Sequence, residues 1–436
     1  MTRIVCRSSI SSLPKRTADI LPVVVYAANG RNFGVGSIGN QLIEAIKRLG
    51  VVVSQRAFDF LTVALAVTAA DTFIKRETAA DGWSRKFDMD IAVAEPKVWE
   101  LVKDDFEEAL RFLSGDMWTF DFHHSGFDVP MPYIHNSGRR KITSLGDRDC
   151  ACLFSGGLDS AVGVLDLLSQ NRRPILISHS YRGDKSRQEA IAQGLPIKTS
   201  HFSAAANPVS PESNDTTMRT RSLSFLAYGS VVVSALSSIM NNEIVDLFVP
   251  ENGFISLNVP LTPRRIGALS TRTTHPYFLS LIQKVFDSLG IPAKIINPYR
   301  FKTKGEMLKE CADQVSLLSI AKNSVSCGKW KRTGIQCGRC IPCLIRRSSF
   351  TAAGFHDSTI YRFKDLSTVI ADKSERDDLL ALMSAISRAK TQSIKYWITT
   401  SGPLPENRAE RNDYMEVFKR GLGEVEVYLT SLGFTV

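Results

Sequence analysis

The chain has 436 residues, and its hydrophobic and charged fractions of 44% and 22% are those of a globular protein with two or three domains. A chain of this length buries a large core, so it needs no disulfide scaffold. The net charge of +10 admits a nucleotide or nucleic-acid ligand, but the basic residues are scattered, so nucleic-acid binding is possible and not favoured.

No segment has the pattern of a membrane span or a signal peptide. The most apolar predicted helix, residues 58–74, contains Asp59 and Asp71 and is shorter than a bilayer requires. The N-terminal segment carries Arg3 and Arg7 without the apolar run of a signal peptide. We therefore expect a cytoplasmic protein without a membrane contact.

Residues 1–148 mix helix and strand patterns. Apolar positions recur every three or four residues in the predicted helices and alternate in the predicted strands. The predicted helices are 41–49, 57–75 and 97–113, and the predicted strands are 21–26, 87–93 and 118–122. This mixture predicts a small α+β domain, followed by a linker at 128–140 that contains Pro and Gly.

From Cys150 onward, short apolar strands alternate with helices. The predicted strands are 151–154, 174–179, 197–202 and 245–250, and the predicted helices are 161–168, 186–193, 222–240 and 276–289. This alternation predicts an α/β domain with a doubly wound parallel sheet over residues 149–361. Residues 362–436 are predicted to form a helical extension, with helices at 375–390 and 407–432.

The strongest local motif, SGGLDS, lies between a predicted strand and a predicted helix. It consists of Ser155, Gly156, Gly157, Leu158, Asp159 and Ser160. Free backbone N–H groups and the positive helix end can meet an anion there, and the glycines let a phosphate approach the backbone. Asp159 is unusual in an anion site and suits a place beside Mg²⁺ or a donor that it orients. A plain glycine turn is the alternative.

Four of the eight cysteines are close together in the sequence. They are Cys327, Cys337, Cys340 and Cys343. In a chain without an export signal, this spacing favours a metal site over disulfides. Four thiolates can surround Zn²⁺ tetrahedrally, and because all four ligands come from the protein, we predict a closed structural site. An iron–sulfur cluster is the alternative.

These two motifs together resemble one known family. The loop matches the PP-loop of ATP pyrophosphatases, and the order Ser-Cys, Cys-Gly-x-Cys-x-x-Cys, then Arg346 or Arg347, resembles the C-terminal signature of the 7-cyano-7-deazaguanine synthase (QueC-like) family. The resemblance covers residues 149–361. It implies the Rossmann-like fold of adenine nucleotide alpha hydrolases, with ATP, Mg²⁺ and Zn²⁺ bound. It also implies adenylation of a carboxylate such as 7-carboxy-7-deazaguanine, followed by attack of an amine.

The same resemblance assigns ATP contacts and a catalytic lysine. It places ATP contacts after the second strand of the domain, at Ser178, His179 and Tyr181. It also places Lys304, in a stretch that ends Thr-Lys-x-Glu, against the ATP phosphates, where it acts with Asp159 by neutralising developing charge. A surface lysine at a helix start is the alternative for Lys304.

Several residues between the motifs are candidates for binding the substrate. Arg219 or Arg221, before a predicted helix, suits a phosphate or carboxylate, and an exposed basic cap is the alternative. Glu251 and Asn252 follow a strand, where α/β sheets bind ligands, and suit a guanine-like edge, although turn chemistry explains the same residues. Thr274 opens a helix and suits an anion.

Three N-terminal segments resemble the longer QueC-like proteins of bacterial anti-phage operons. They are the helix 64–67 leading to Asp71, and the segments 81–85 and 114–118. The longer form implies a protein partner from the same operon whose amine accepts the nucleobase; core packing is the alternative for these segments. Two other functions stay open for the chain. One is a tRNA-modifying PP-loop enzyme, either a thiolase or a lysidine-type ligase, and the other is a non-catalytic nucleotide-binding scaffold.

Overall fold

Two five-stranded parallel sheets form the framework of the chain in the computed structural model. The structure describes residues 2–436 except 28–33, 125–126, 139–140, 181–182, 213–214, 216–218 and 263–268, and it describes only the backbone of 269–271 and 331–332.

The first sheet has the strand order β3-β2-β1-β4-β5, and every pairing in it is parallel. Its strands are β1 (Thr2–Arg7), β2 (Ile20–Val25), β3 (Gly36–Ile38), β4 (Lys86–Val93) and β5 (Met117–His124). Helices α1 (Leu42–Lys47) and α2 (Gln55–Phe73) lead from β3 to β4, and α3 (Pro96–Ser114) leads from β4 to β5.

The α+β prediction for residues 1–148 is wrong, because the described strands are all parallel. The central strand β1 escaped prediction because Arg3 and Arg7 interrupt its apolar run. Both guanidinium groups contact Asp90 of the neighbouring strand at 2.8 Å. Strand β5 alternates exposed and buried residues because it is an edge strand with one covered face, which is also the pattern of an antiparallel strand.

The second sheet has the order β10-β9-β6-β7-β8, again with parallel pairing. Its strands are β6 (Cys150–Leu153), β7 (Pro174–His179), β8 (Ser200–Ala204), β9 (Val245–Phe248) and β10 (Ala293–Ile296). The helices among them are α4 (Leu158–Ser169), α5 (Lys185–Gln193), α6 (Arg221–Ile239), α7 (Gly253–Ser256) and α8 (Pro276–Leu289). The chain builds outward from β6 to β8 and then returns to the other side of β6. The direction of winding therefore reverses between β6 and β9, and the predicted parallel α/β architecture is confirmed.

Two helical layers lie between the sheets and share one core. Helix α2 packs on α6, and α3 packs on α8. The rings of Phe60 and Phe286, 4.9 Å apart, join the two layers, and a single cluster of buried apolar residues reaches both sheets. The predicted domain limit at 148/149 therefore crosses a continuous core, and the limits themselves stay a prediction.

Helix α6 is the one described helix that is long and apolar enough to cross a membrane, and 83% of its most apolar window is buried inside the protein. It contacts α2 on one side and β6, β7 and β9 on the other. Its apolarity is thus accounted for by a core position between a sheet and a helix.

The remainder of the chain is helical. Helices α9 (Lys304–Glu310), α10 (Gln314–Ala321), α11 (Trp330–Thr333) and α12 (Ile341–Ala353) precede α13 (Leu366–Ala371), α14 (Asp377–Thr391), α15 (Ile394–Thr399) and α16 (Arg408–Ser431). The long helix α16 packs against α12, α14 and α7, so the C-terminal helices lie on the second sheet's domain.

A buried ion network holds the start of α6. The three N-terminal segments noted in the sequence meet here, because Arg85 donates to Asp116 at 2.8 Å and also to Asp71. The second oxygen of Asp71 accepts hydrogen bonds from the backbone N–H and the hydroxyl of Thr220, both at 3.0 Å. Thr220 is the N-cap residue of α6. The N-terminal part of the chain therefore fixes the helix end that carries Arg221.

Candidate active site and metal centre

The glycine loop joins β6 to α4 in a conformation that exposes backbone N–H groups. Gly156 has a φ of +81°, in the left-handed region that favours glycine. Gly157 is the N-cap residue of α4, and none of the described side chains caps that helix. The first N–H groups of this twelve-residue helix, together with its dipole, therefore face the loop, as an anion site requires.

Two neighbouring segments hold the loop in place. The backbone N–H of Val325 donates to the carbonyl of Gly156 at 3.1 Å. Gln188 of α5 donates through its side chain to the carbonyl of Ser155 at 3.3 Å. A Cβ atom added at Gly156 would lie 3.1 Å from Cγ of Gln188, so even a methyl group would crowd this contact.

A buried polar cluster lies directly behind the loop. The ammonium group of Lys304 forms an ion pair with Oδ1 of Asp159, and both side chains are almost fully buried. The other carboxylate oxygen of Asp159 accepts from the backbone N–H of Asn252 at 3.1 Å and from its side-chain amide at 2.6 Å. The structure thus brings Asp159 and Lys304 together. The side-chain amide of Asn252, predicted to bind the substrate, is bound to Asp159 here, so that substrate contact stays a prediction.

Glu251 adds a second carboxyl group to this cluster. Burial alone would raise the pKa of Asp159, but the charge of Lys304 and the hydrogen bonds from Glu251, Lys304 and Asn252 lower that pKa to about 2. Burial, followed by the negative charge of Asp159, raises the pKa of Glu251 well above its usual value. Glu251 therefore keeps its proton at a pH at which Asp159 is ionised.

A cavity of about 150 Å³ opens beside this cluster, where the winding of the second sheet reverses. Parallel sheets bind ligands at this position, beyond the carboxyl ends of the strands. The cavity is lined by Leu153, Ser155, Ser160, Arg221, Ser222, Phe225, Leu226, Val249, Pro250, Glu251, Thr273, Thr274 and Leu279. It therefore collects the predicted residues Ser155, Ser160, Arg221, Glu251 and Thr274.

Two hydroxyl groups in the cavity wall lack protein partners. Ser222 Oγ and Thr274 Oγ1 are buried and have no hydrogen-bond partner in the part of the chain that the structure describes. Leaving a buried hydroxyl unpaired costs about 1–3 kcal/mol. Arg221, in the same wall, contacts Asp184 at 3.0 Å. Buried hydroxyls that line a cavity without a partner are the expected sign of a site that binds a polar ligand.

Some predicted site residues have their side chains elsewhere. Ser178 and His179 are fully buried: Ser178 Oγ donates to the carbonyl of Phe154 at 2.7 Å, and the His179 ring packs 5.4 Å from the ring of Phe225. Their side chains do not line the cavity, so a contact with ATP would have to come from the backbone. Tyr181 lies outside the described residues.

Arg219 also has its side chain away from the cavity, which does not support the predicted substrate contact. Its guanidinium donates to the carbonyl of Ser114 at 2.7 Å and lies over the ring of Trp83, 4.2 Å from the ring centre. It therefore belongs to the surroundings of the buried ion network. Arg221, two residues later, is the one that faces the site because it begins α6.

The four predicted cysteines form a close cluster that can hold a metal ion such as zinc. All four sulfur atoms lie within 4.8 Å of one another, and the pairs Cys337–Cys343 and Cys327–Cys340 are 3.9 Å apart. Sulfur atoms at the corners of a tetrahedron with metal–sulfur bonds of about 2.3 Å are about 3.8 Å apart. The thiols therefore already stand at the separation that one tetrahedral ion requires.

The polypeptide around the cysteines favours thiolates. Backbone N–H groups of Cys337 and Lys329 donate to the sulfur of Cys327 at 3.3 and 3.4 Å, and that of Cys340 donates to Cys337 at 3.3 Å. Gly338 has a φ of +81°, and an added Cβ would lie 2.5 Å from the carbonyl oxygen of Phe363. Only glycine fits this turn.

The fully buried Arg346 ties the cluster to the glycine loop. It donates to Ser324 Oγ and to the carbonyl of Ala321, both at 2.8 Å. Ser324 and Cys327 flank Val325, whose N–H supports Gly156. The segment from Ser324 to Cys327 and its hydrogen bonds therefore connect the cysteine cluster to the glycine loop, although the two motifs are far apart in the sequence.

Sequence reasoning missed Ser222 and the apolar wall formed by Phe225 and Leu226. Ser222 directly follows Arg221 in a mostly apolar helix that contains several other buried serines, so the sequence does not distinguish it from a core residue. Its position within the first turn of a helix after a predicted ligand residue was the available signal.

We compared the sequence with protein-family models, and no model matches. No curated protein matches the sequence either.

Proposed function

We propose that this chain is a PP-loop ATP pyrophosphatase that activates a carboxylate as an acyl-adenylate. The observation that carries the proposal is the juxtaposition of the SGGLDS loop, opening α4 with uncapped N–H groups, and the buried Lys304–Asp159 pair. The loop offers donors for phosphate oxygens, and Lys304 offers positive charge where negative charge develops. The resemblance to the 7-cyano-7-deazaguanine synthase family supports the same function.

The reaction needs two steps. A carboxylate oxygen of the substrate attacks the α-phosphorus of ATP, and the bond to the β-phosphate oxygen breaks, releasing pyrophosphate. An amine then attacks the activated acyl carbon, AMP leaves with the bonding electron pair, and the amine loses a proton. Lys304 and the N-terminal N–H groups of α4 stabilise the charge on the phosphates. Asp159 orients Lys304, and Asn252 orients Asp159.

The cavity suits a flat, partly apolar heterocycle such as 7-carboxy-7-deazaguanine. Phe225, Leu226 and Leu279 supply an apolar wall, while Arg221 supplies a cation for a carboxylate. Glu251 gives its proton to Asp159, so its carbonyl oxygen can accept a hydrogen bond from a ring N–H or amino group of the substrate. These groups support the substrate class that the resemblance implies.

The amine acceptor decides the product of this carbon–nitrogen ligase. Ammonia would give an amide, and a second activation would give the nitrile. An amine of a protein partner would give a nucleobase–protein conjugate, which is the outcome implied by the resemblance to anti-phage proteins.

The state of the cysteines bears on the location of the protein. None of the eight cysteines forms a disulfide, which fits a cytoplasmic location.

The structure fits the two metal ions differently. The cysteine cluster fits Zn²⁺, because four thiols within 4.8 Å surround one ion, whereas a cluster of several irons needs its thiolates further apart. In the described residues no group of three acidic or histidine side chains could hold Mg²⁺, and both oxygens of Asp159 already accept hydrogen bonds. Mg²⁺ would therefore enter on the phosphates of ATP and neutralise their charge there.

The decisive test is pyrophosphate release from ATP by the full chain, with Mg²⁺ and 7-carboxy-7-deazaguanine present. Lys304→Met should lower release by about 10²–10³, while Lys302→Met should not lower it, because Lys302 forms only an exposed ion pair with Glu310 at 2.6 Å. Release that depends on both the carboxylate and Lys304 would support the proposal. Release without the carboxylate, or an active Lys304→Met variant, would contradict it.

The two alternatives predict different results in the same assay. A tRNA thiolase needs an accessible thiol near the loop, but Cys150 and Cys152 are fully buried in β6, and burial raises the pKa of both thiols. A lysidine-type ligase would release pyrophosphate only with tRNA. A non-catalytic scaffold would bind ATP without releasing pyrophosphate with either substrate.

A further inference from the structure

The C-terminal helix α16 reaches the segment that carries Lys304. Glu424, on this helix, accepts a hydrogen bond from the hydroxyl of Thr303 through one oxygen and from the N–H of Gly305 through the other, the latter at 3.2 Å. Thr303 is the N-cap residue of α9, and Lys304 is its first residue. The carboxylate of Glu424 therefore contacts the residues on both sides of Lys304.

The backbone at Gly305 is closely packed against α16 and α12. A Cβ atom added there would overlap the carboxylate of Glu424 and lie 2.8 Å from Cβ of Ala352. One turn earlier on α16, Arg420 contacts Glu306 at 2.5 Å and donates to the carbonyl of Phe301 at 2.7 Å. Helix α16 therefore contacts the chain on both sides of Lys304.

The same helix also supports the segment that carries Asn252. A Cβ atom at Gly253 would lie 3.0 Å from Val417, and the rings of Phe254 and Phe418 are 5.4 Å apart. The N–H of Gly253 donates to the carbonyl of Lys302 at 2.9 Å. Both side chains that hold Asp159, the amide of Asn252 and the ammonium of Lys304, thus stand on backbone that packs on α16.

Helix capping alone does not explain Glu424. The N-terminus of α9 already has a complete capping box, formed by Thr303 and Glu306. Glu424 lies on the apolar face of α16, in register with Val417, Gly421 and Tyr428. Burial raises the pKa of Glu424 to about 7, against the opposing hydrogen bonds from Thr303 and Gly305. A carboxyl group in such a position is unfavourable by itself, so the contact that it makes has to account for it.

We propose that Glu424 is a positioning residue, which fixes the backbone around Lys304 and thereby aims its ammonium group at Asp159 and the phosphate loop. The kinetic part of this inference rests on the proposed function, whereas the structural part does not. The helical C-terminal extension is then a part of the active site's support.

The first readout of the test does not require activity. Lys304 is only 5% exposed in its ion pair, so an amine reagent such as trinitrobenzenesulfonate should label it slowly in the intact chain. In Glu424→Ala, labelling of Lys304, followed by mass spectrometry, should be about tenfold faster because the backbone on both sides is released. Glu416→Ala is the matched control, since Glu416 lies on the same helix in an exposed pair with Lys419 at 2.6 Å. It should label as the unchanged chain does.

The second readout separates positioning from general loosening of the fold. In Glu424→Ala, kcat for pyrophosphate release should fall about tenfold or more, with little change in the KM of the carboxylate, because only the phosphate side is misplaced. Glu424→Gln keeps one carbonyl acceptor and should give intermediate labelling and kcat.

The outcomes are distinct. A folded Glu424→Ala with unchanged labelling of Lys304 would overturn the proposal. If Glu424→Ala does not fold, Glu424→Gln decides, and unchanged labelling in that variant would equally overturn it. If the unchanged chain releases no pyrophosphate, the proposed function fails, but faster labelling in the Glu424 variants would still support the positioning role.

Discussion

Asp159 and Lys304 are 145 positions apart in the sequence and form a buried ion pair behind the glycine loop. Because neither charge is solvated, each depends on the other: removing one leaves an uncompensated buried charge, which costs about 3–5 kcal/mol. The pair therefore links the stability of the site to its chemistry.

Asp159→Asn and Lys304→Met should each lower the unfolding free energy by about 3 kcal/mol, and the double variant should recover most of that loss. Catalysis should not recover, because pyrophosphate release should fall by about 10²–10³ in all three variants. Urea unfolding and a pyrophosphate assay measure the two effects. A double variant that is active, or as unstable as the sum of the singles, would contradict this account of the pair.

The hydroxyl groups of Ser222 and Thr274 should contribute to ligand binding but not to the stability of the fold. Ser222→Ala and Thr274→Val should leave the unfolding free energy unchanged or raise it by about 1 kcal/mol, since each removes an unsatisfied buried group. Each should raise the KM of one substrate by about tenfold through a lost hydrogen bond.

Ser234→Ala is the control for this trade. Ser234 lies on the same helix as Ser222, but its hydroxyl accepts from the N–H of Ser54 at 2.7 Å. Its removal should lower stability by about 1–3 kcal/mol with KM unchanged. Destabilisation by Ser222→Ala as large as this would mean that its hydroxyl has a partner within the protein.

The metal centre should affect the glycine loop through Val325. We expect about one zinc ion per chain by elemental mass spectrometry, lost in Cys343→Ser and retained in Cys311→Ser, whose thiol is buried outside the cluster. Hydrogen exchange at Val325 should speed up when the metal is lost, because the segment between Ser324 and Cys327 is released. Iron in place of zinc would contradict the zinc site. A rate of hydrogen exchange at Val325 that does not change when the metal is lost would contradict the coupling.

The buried ion network should make stability depend on acid. Burial alone would raise the pKa of Asp116, but hydrogen bonds and charges from Arg85 and Arg76 outweigh it and hold the pKa below its usual value. A lowered pKa in the folded state stabilises the protein above the unfolded value of about 3.9, and the contribution is lost as the pH falls below it.

Asp116→Asn should therefore destabilise the protein by about 3–5 kcal/mol at neutral pH, and by less as the pH drops below about 4. Asp121→Asn, on the exposed face of strand β5, which begins directly after Asp116, should cost under about 1 kcal/mol, because its pair with Arg3 is solvated. Urea unfolding across pH measures both. A deficit in Asp116→Asn that does not change with pH would argue against a charged Asp116.

Replacement of two glycines of α16 by alanine should change the stability of the protein in opposite directions. A Cβ at Gly421 would lie 2.7 Å from Cδ2 of Phe254, so Gly421→Ala should cost about 1–3 kcal/mol through overpacking. Gly423 has open space around its Cα, and Gly423→Ala should stabilise the protein by about 1 kcal/mol through helix propensity. Thermal unfolding of both variants measures the difference, and equal effects would contradict the packing of α16 on α7.

Features that depend on a few neighbouring residues could be predicted from the amino-acid sequence. A strand followed by Gly156 and Gly157 predicts an uncapped helix start, since a turn and a helix end are local geometries. The spacing of Cys337, Cys340 and Cys343 likewise predicts a cluster, because two-residue gaps keep thiols within reach of one ion. Regular alternation of strands and helices predicted four of the five strands of the second sheet, but not the short edge strand β10.

Contacts between side chains that are far apart in the sequence could not be predicted and depend on the packing of the folded chain. Arg219 and Arg221 are equivalent candidates in the sequence, but Arg219 precedes α6 and contacts Ser114, whereas Arg221 begins α6 and lines the cavity. The contacts of Glu424 with Thr303 and Gly305 likewise follow only from the position of α16 beside the start of α9. Such contacts depend on how layers stack and on which helix face is covered, and a local pattern carries no information about the surface that will cover it.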